Sequence, residues 1–258
     1  MGHSLKYYLM NPLPRTYAMI VAAGRGSRFG ASVAKQYTQL QDQTLLQLSV
    51  ARLASSKYIN QCLLVVAEDD ITARTLDFAI PVYYAIGGAE RWQSVQAGVS
   101  AIGSTGADDS DLVLIHDAAR PAVPSYDIDQ VIEAALLEPY GAILATPVAD
   151  TLKTSYIKSV TTDNLSDKNN QRYYAKRTID RSSMWQAQTP QVFRLGALKK
   201  VLDYVAEHQL TITDEASAFE YLDLPIRLVT GSRQNIKLTY PDDALLLSAI
   251  LTAQSDQP

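Results

Sequence analysis

Residues Ala22-Ala23-Gly24-Arg25-Gly26-Ser27-Arg28-Phe29-Gly30 place three glycines and two arginines within nine positions, and Lys35-Gln36-Tyr37 follows shortly after. Glycines without Cβ atoms let backbone amides come close to an anion. The loop is not a Walker sequence, because no Lys-Ser or Lys-Thr follows a glycine at the required spacing. It is also a poor dinucleotide fingerprint, since the third glycine falls one residue late. Arg28 and Lys35, seven residues apart, suit a triphosphate undergoing displacement, where negative charge gathers on the phosphoryl oxygens.

Two further clusters have chemical potential. Gly87-Gly88-Ala89-Glu90-Arg91-Trp92-Gln93-Ser94 puts paired glycines before a helix start, another place for close backbone approach to a ligand. Ser94, about one turn into that helix, is expected to offer its hydroxyl to a base or ribose. His116-Asp117-Ala118-Ala119-Arg120-Pro121 sets a carboxylate at the end of an apolar run. Asp117 can hold Mg²⁺, whose hard oxygen preference suits a nucleotide's phosphates. Arg120 can pair with a phosphate or orient Asp117. His116, ending a core strand, reads as a structural hydrogen-bonder rather than a general base.

The elements that position these clusters follow from periodicity. Short apolar runs at Tyr17–Ala22, Cys62–Ala67, Pro81–Ala85, Asp111–His116 and Ala142–Thr146 read as strands. Thr44–Ala54, Asp70–Phe78, Glu90–Ile102 and Tyr126–Leu137 read as the helices between them. Continuous apolar strands separated by helices predict an α/β fold with a mostly parallel sheet covered on both faces. Ligands of such sheets sit at the strands' carboxyl ends, where all three clusters fall. After Pro147 the pattern changes. Asp150 to Gln188 is polar with little helical periodicity, Asp163 to Arg172 reads as an irregular tip, and Thr178 to Trp185 regains apolar spacing. Beyond it come a helix at Leu195–Glu207, another after Thr213 without a capping box, strands at Ile226–Val229 and Ile236–Thr239, and a last helix at Pro241–Leu251. Residues 1–258 thus read as one domain, with 148–187 protruding from it as an extended arm.

Composition narrows the classes. The 258 residues are 47% hydrophobic and 19% charged with net charge −4, which is ample for a core and gives no general affinity for nucleic acid or an anionic membrane. A nucleotide substrate then needs a local basic pocket. Cys62 is the single cysteine, so no internal disulfide forms and a cytoplasmic setting is expected. Its place in an apolar run makes it a buried thiol rather than a nucleophile. The first sixteen residues show neither the apolar core of a secretory signal nor, with Lys6 in the key position, a myristoylation signal.

Taken in order, the Ala-Ala-Gly-x-Gly-x-Arg loop, Lys35-Gln36-Tyr37, Gly-Gly-x-Glu-Arg and His-Asp-Ala-Ala-Arg-Pro are joined by Asp150-Thr151, Thr189-Pro190-Gln191, Thr213-Asp214-Glu215-Ala216-Ser217-Ala218 and Asn235-Ile236-Lys237. From Tyr17 to Leu251 the chain resembles the 2-C-methyl-D-erythritol 4-phosphate cytidylyltransferases of the non-mevalonate isoprenoid pathway. The resemblance implies a dinucleotide-binding-like α/β fold and a homodimer in which each extended arm reaches the other subunit. It implies that Arg28 and Lys35 meet the CTP triphosphate and its transition state, and that Asp117 holds Mg²⁺. Ala22, Ala23, Gly24, Gly26, Gly88 and Ser94 would contact the nucleotide. Arg120 and Lys237, with Thr151 and Arg181 of the partner's arm, would hold the acceptor phosphate. Three departures stand out: Ala34 where proline is usual, Ala89 where an acid is common, and a surplus in the arm around 164–174.

The implied step is in-line attack by a phosphate oxygen of the acceptor on the α-phosphorus of CTP. A pentitol such as ribitol 5-phosphate is the nearest rival acceptor. A catalytically silent nucleotide-binding regulator is a second alternative, disfavoured by the full set of charged groups. A related glycosyltransferase is a third, but Asp108-Asp109-Ser110-Asp111 sits in a loop before a strand and does not read as its Asp-x-Asp metal motif.

Overall fold

The computed structural model describes residues 14–24, 34–159 and 171–255. Two compact units emerge, Met1–Ala145 with Ala187–Pro258, and Thr146–Gln186; the sequence places the second at 148–187. The strands are β1 (Thr16–Val21), β2 (Gln39–Leu40), β3 (Gln43–Thr44), β4 (Cys62–Val66), β5 (Val82–Ile86), β6 (Leu112–Asp117), β7 (Gly141–Pro147), β8 (Leu152–Ser159), β9 (Gln171–Ile179), β10 (Trp185–Arg194) and β11 (Arg227–Thr230). The helices are α1 (Leu45–Ala54), α2 (Arg91–Gly103), α3 (Ser125–Leu137), α4 (Leu195–Glu207), α5 (Glu215–Glu220) and α6 (Asp243–Ser255).

Seven strands form the main sheet in the order β11-β7-β10-β6-β1-β4-β5. The pairs β6-β1, β1-β4, β4-β5 and β11-β7 are parallel, whereas β10 runs antiparallel to β6. Residues on β1 explain why helices cover both faces. Ala18 and Ile20 pack in one apolar cluster with Leu46 and Val50 of α1 and Ile128 and Val131 of α3. Met19 packs in the other with Val95 and Val99 of α2 and Leu198 and Leu202 of α4. Every position of β4 and β6 is buried, as continuous apolar runs demand in a parallel sheet. Register puts Val21 beside Asp117 and Val65, so the loops after β1 and β6 leave the same edge together.

Four local readings are corrected. Asp70–Phe78 is not a helix but holds one 3-10 turn at Thr72–Thr75. Leu76, Phe78 and Ile80 contribute alternate residues to the core, which is the period of an extended segment. No strand forms at Ile236–Thr239; Leu238 N–H instead bonds the Ala119 carbonyl at 2.9 Å, tying the segment to the loop after β6. Helix α5 does have a capping box, built by Asp214 and Ser217 rather than Thr213. Helix α6 begins two residues after Pro241, where the Asp243 carboxylate accepts from Thr239 and Tyr240 N–H groups at 2.7 and 2.8 Å.

In the second unit β8 and β9 pair antiparallel, with a register irregularity between Thr154 and Ser155. Tyr156 and Tyr174 stack at 5.6 Å, and the Lys158 ammonium lies over both rings. Gln171 and Arg172, read as part of an irregular tip, already belong to β9; the rest of that tip and of the arm's surplus, up to residue 170, lies outside the described residues. Among the described residues no helix is long and apolar enough to cross a membrane.

Candidate active site

At the carboxyl edge of β1, β5 and β6 lies a cavity of about 220 Å³ lined by residues of all three sequence clusters. Ala22, Ala23 and Gly24 form its β1 side, Gly88 and Ser94 its α2 side, Asp117 its β6 side, and Lys35 and Lys237 reach it from two other segments. Small residues make this convergence possible. A Cβ on Gly87 would meet the Ala23 Cβ at 2.5 Å and the Ser94 Oγ at 2.7 Å, and one on Gly88 would meet the Gln93 Cβ at 2.5 Å. Among the described residues nothing lies within 4 Å of the Cβ position at Gly24. Gly26 and Arg28 lie outside the described residues.

Lys35 sits on a 3-10 turn, Lys35–Tyr37, whose other two residues anchor it. Buried Gln36 donates its Nε2 to the Ala22 carbonyl at 2.8 Å. Tyr37 donates its hydroxyl to Asp70 Oδ2 at 2.5 Å. The Ala22 N–H is held by the Val65 carbonyl at 2.8 Å, so both polar backbone groups of Ala22 serve the fold. The Ser94 hydroxyl is also engaged: it accepts from Gly88 N–H at 3.1 Å and donates to the Glu90 carbonyl at 3.2 Å. These bonds hold the hydroxyl at the wall of the cavity. Ser94, a residue 2% exposed, shapes the glycine turn through them.

Asp117 is the electrostatic centre. Its Oδ1 lies 3.2 Å from Arg91 Nη2, its Oδ2 is 2.7 Å from Lys237 Nζ, and Arg120 Nε stands 3.9 Å from Oδ2. Burial alone would raise its pKa, but the Arg91 and Lys237 charges outweigh that and hold the carboxyl well below the usual range. Burial likewise lowers Arg91, and Glu215 together with Asp117 reverses this to keep the guanidinium charged. The side chain of Arg120 is 12% exposed and gives its Nη1 to the Asn235 carbonyl at 2.7 Å. Its Nε pairs with Asp117 by charge at 3.9 Å without a hydrogen bond, which adds to the forces keeping Asp117 ionised.

His116 is wholly buried and forms a relay of bonds. Its Nε2 lies 3.0 Å from the Arg120 carbonyl, which only accepts, so Nε2 carries the proton and Nδ1 accepts from Thr189 Oγ1 at 3.0 Å. Thr189 Oγ1 in turn accepts from Asp117 N–H at 3.1 Å. Burial pushes the imidazole pKa down to about 4. A neutral ring with both nitrogens occupied is a brace for Asp117 and not a base, as its position in the strand predicts.

Thr151 and Arg181 belong to the second unit. Thr151 is exposed immediately before β8, and Arg181 Nη1 donates to the Val148 carbonyl at 3.1 Å. Sequence reasoning missed Arg91, Glu215, Asn235 and Thr189 as parts of the site. All four stand within quoted motifs, but a pairing between residues 124 positions apart, as in Arg91–Glu215, leaves no trace in spacing. The one available signal was an acid heading the apolar helix α5.

Among the described residues no group of three or more His, Cys, Asp or Glu side chains gathers to hold a metal. Mg²⁺ does not need such a cage, since one carboxylate, waters and substrate phosphates are its usual set. Asp117, kept ionised and facing the cavity, fits that pattern.

The family model for 2-C-methyl-D-erythritol 4-phosphate cytidylyltransferase matches residues 16–253. The protein of that name from Psychrobacter arcticus is 69% identical, with 96% of this chain and 95% of the relative aligned. A crystal structure of a 4-diphosphocytidyl-2C-methyl-D-erythritol synthase superposes with TM-score 0.74 at 33% identity, over 92% of this chain and 99% of that one. The Francisella tularensis cytidylyltransferase structure gives TM-score 0.73 at 28% identity, with the same coverage. With a glycine-lined cavity at the carboxyl edge of a parallel sheet and an ionised aspartate set among cations, the chain belongs to the 2-C-methyl-D-erythritol 4-phosphate cytidylyltransferase family.

Proposed function

We propose that this chain joins CTP and 2-C-methyl-D-erythritol 4-phosphate into 4-diphosphocytidyl-2-C-methyl-D-erythritol and pyrophosphate, a step of isoprenoid biosynthesis. The observation that carries the reading is the cavity in which Lys35, Asp117 and Lys237 meet beside the glycine-bearing loops. A phosphate oxygen of the acceptor forms the new bond to the α-phosphorus of CTP, while the bond to the bridging oxygen breaks and pyrophosphate leaves. The nucleophile is already ionised near neutral pH, so no general base is required; the sealed, neutral His116 agrees with that. Lys35 and Arg28 stabilise the charge that builds on the triphosphate. Lys237 swings from Asp117 to the incoming acceptor phosphate, and the Arg120 charge helps keep Asp117 ionised. Mg²⁺, bound by Asp117 with the triphosphate, would supply neutralisation of the leaving pyrophosphate.

Thr151 and Arg181 act, in this reading, from the arm of a second subunit on the same acceptor phosphate. Support comes from the exposed apolar surface of the β8–β9 hairpin, where Ile157 is 51% and Tyr173 69% exposed. A two-stranded hairpin is marginal in water by itself, so this one gains from a covering partner. The single cysteine favours a cytoplasmic setting.

The test is pyrophosphate release with Mg²⁺ and CTP, comparing methylerythritol phosphate with ribitol 5-phosphate. Strong preference for the first is expected. Preference for the pentitol would change the acceptor, and silence with both would overturn the reaction.

A further inference from the structure

Strand β10 holds the site from behind through two side chains on one face. Thr189 supports Asp117 and His116 as described. Two residues on, Gln191, only 1% exposed, donates Nε2 to Asp214 Oδ2 at 2.8 Å and accepts from Ala216 N–H at 3.3 Å. These bonds fix the first turn of α5 and with it Glu215, whose side chain is fully buried. One Glu215 oxygen bonds Arg91 Nη1; the other, Oε2, has no hydrogen-bond partner among the described residues. Arg91 passes the constraint on, its second nitrogen reaching Asp117 Oδ1, and Asp117 Oδ2 meets Lys237.

A buried carboxylate with an unsatisfied oxygen is a costly choice for packing alone, because an apolar residue of similar size is commonly as good for stability. What the carboxylate does supply is direction. We propose that Glu215 is a positioning residue for the transfer: through Arg91 it fixes the rotation of the Asp117 carboxylate, which holds Lys237 over the cavity. The inference rests on the proposed reaction and adds to it a residue that touches neither substrate.

Glu215→Gln keeps the shape and loses the charge. The experiment compares kcat and the KM for methylerythritol phosphate in wild type, Glu215→Gln, Arg91→Met and the double variant, with thermal unfolding alongside. Glu215→Gln is expected to lower kcat about tenfold and raise the acceptor KM several-fold. A loss of folded enzyme lowers only the apparent kcat and leaves KM unmoved. Arg91→Met should do the same, and adding Glu215→Gln to it should change neither constant further, since coupled residues are not additive. If Glu215→Gln does not fold, Glu215→Asp, which keeps the charge but shortens the reach to Arg91, carries the test: a lowered kcat with a raised acceptor KM supports the inference and wild-type constants overturn it. Wild-type constants in Glu215→Gln, or additive losses in the double variant, overturn the inference while leaving the reaction standing. A wild-type protein that releases no pyrophosphate overturns both.

Discussion

At the scale of single residues the site separates groups that meet substrate from groups that hold them. In the proposed reaction Lys35 belongs to the first kind and Gln36, Tyr37 and His116 to the second. Lys35→Ala should cost about 100-fold or more in kcat while the melting temperature stays within a few degrees; near-normal turnover would remove Lys35 from the mechanism. His116 gives a prediction about acid stability. The folded imidazole takes a proton only near pH 4, the unfolded one near 6.5, so the unfolded chain gains its proton first on acidification. Stability from this residue is therefore complete above pH 6.5 and is lost as pH falls toward 4, a change of about 3 kcal/mol. Urea unfolding of wild type and His116→Gln across that window should show a shallower pH slope in the variant. Equal slopes would mean that the imidazole is not buried neutral.

At the scale of elements, the parallel strands bring three loops to one edge, and β10 locks them there by running the opposite way beside β6. Its close approach to β7 depends on Gly141, whose φ of +151° strains any other residue and whose added Cβ would press into the Val192 carbonyl and the Phe193 backbone. Gly141→Ala should destabilise by about 2 kcal/mol or more, read as a lower midpoint in denaturant with unchanged slope. An unshifted midpoint would show that β10 has room to give. The sequence was a good guide to these strands and helices because each buries a continuous or one-faced apolar run. It failed at Asp70–Phe78 and Ile236–Thr239, where apolar residues are held by side-chain and loop contacts rather than by repeating backbone bonds.

At the scale of the whole molecule, the proposed assembly makes each site from two chains. Protomers carrying Lys35→Ala and Arg181→Ala, refolded together, would then form mixed dimers with one intact site. An equal mixture should recover about a quarter of wild-type activity by random pairing, although neither variant alone approaches it. Recovery absent from mixtures that demonstrably exchange subunits would place Arg181 in the same chain's chemistry or outside it. Adding a chelator to wild type should abolish pyrophosphate release and Mg²⁺ should restore it; activity in the chelator's presence would discard the metal assigned to Asp117.

The amino-acid order by itself determined the α/β class, the edge of the sheet where the cavity lies and most residues around it. Those features are local: a strand's apolar run, a glycine turn and a carboxylate at a strand end all lie within a few residues of one another. Only the tertiary structure decided what those residues do to each other. Asp117 sits among Arg91, Arg120 and Lys237, contacts that join three separate segments. Ser94, at the cavity wall, also braces the glycine turn through Gly88 N–H. Glu215 and Arg91 meet because β10, α5 and α2 pack together, and no periodicity encodes a pairing that arises only when the sheet has closed around it.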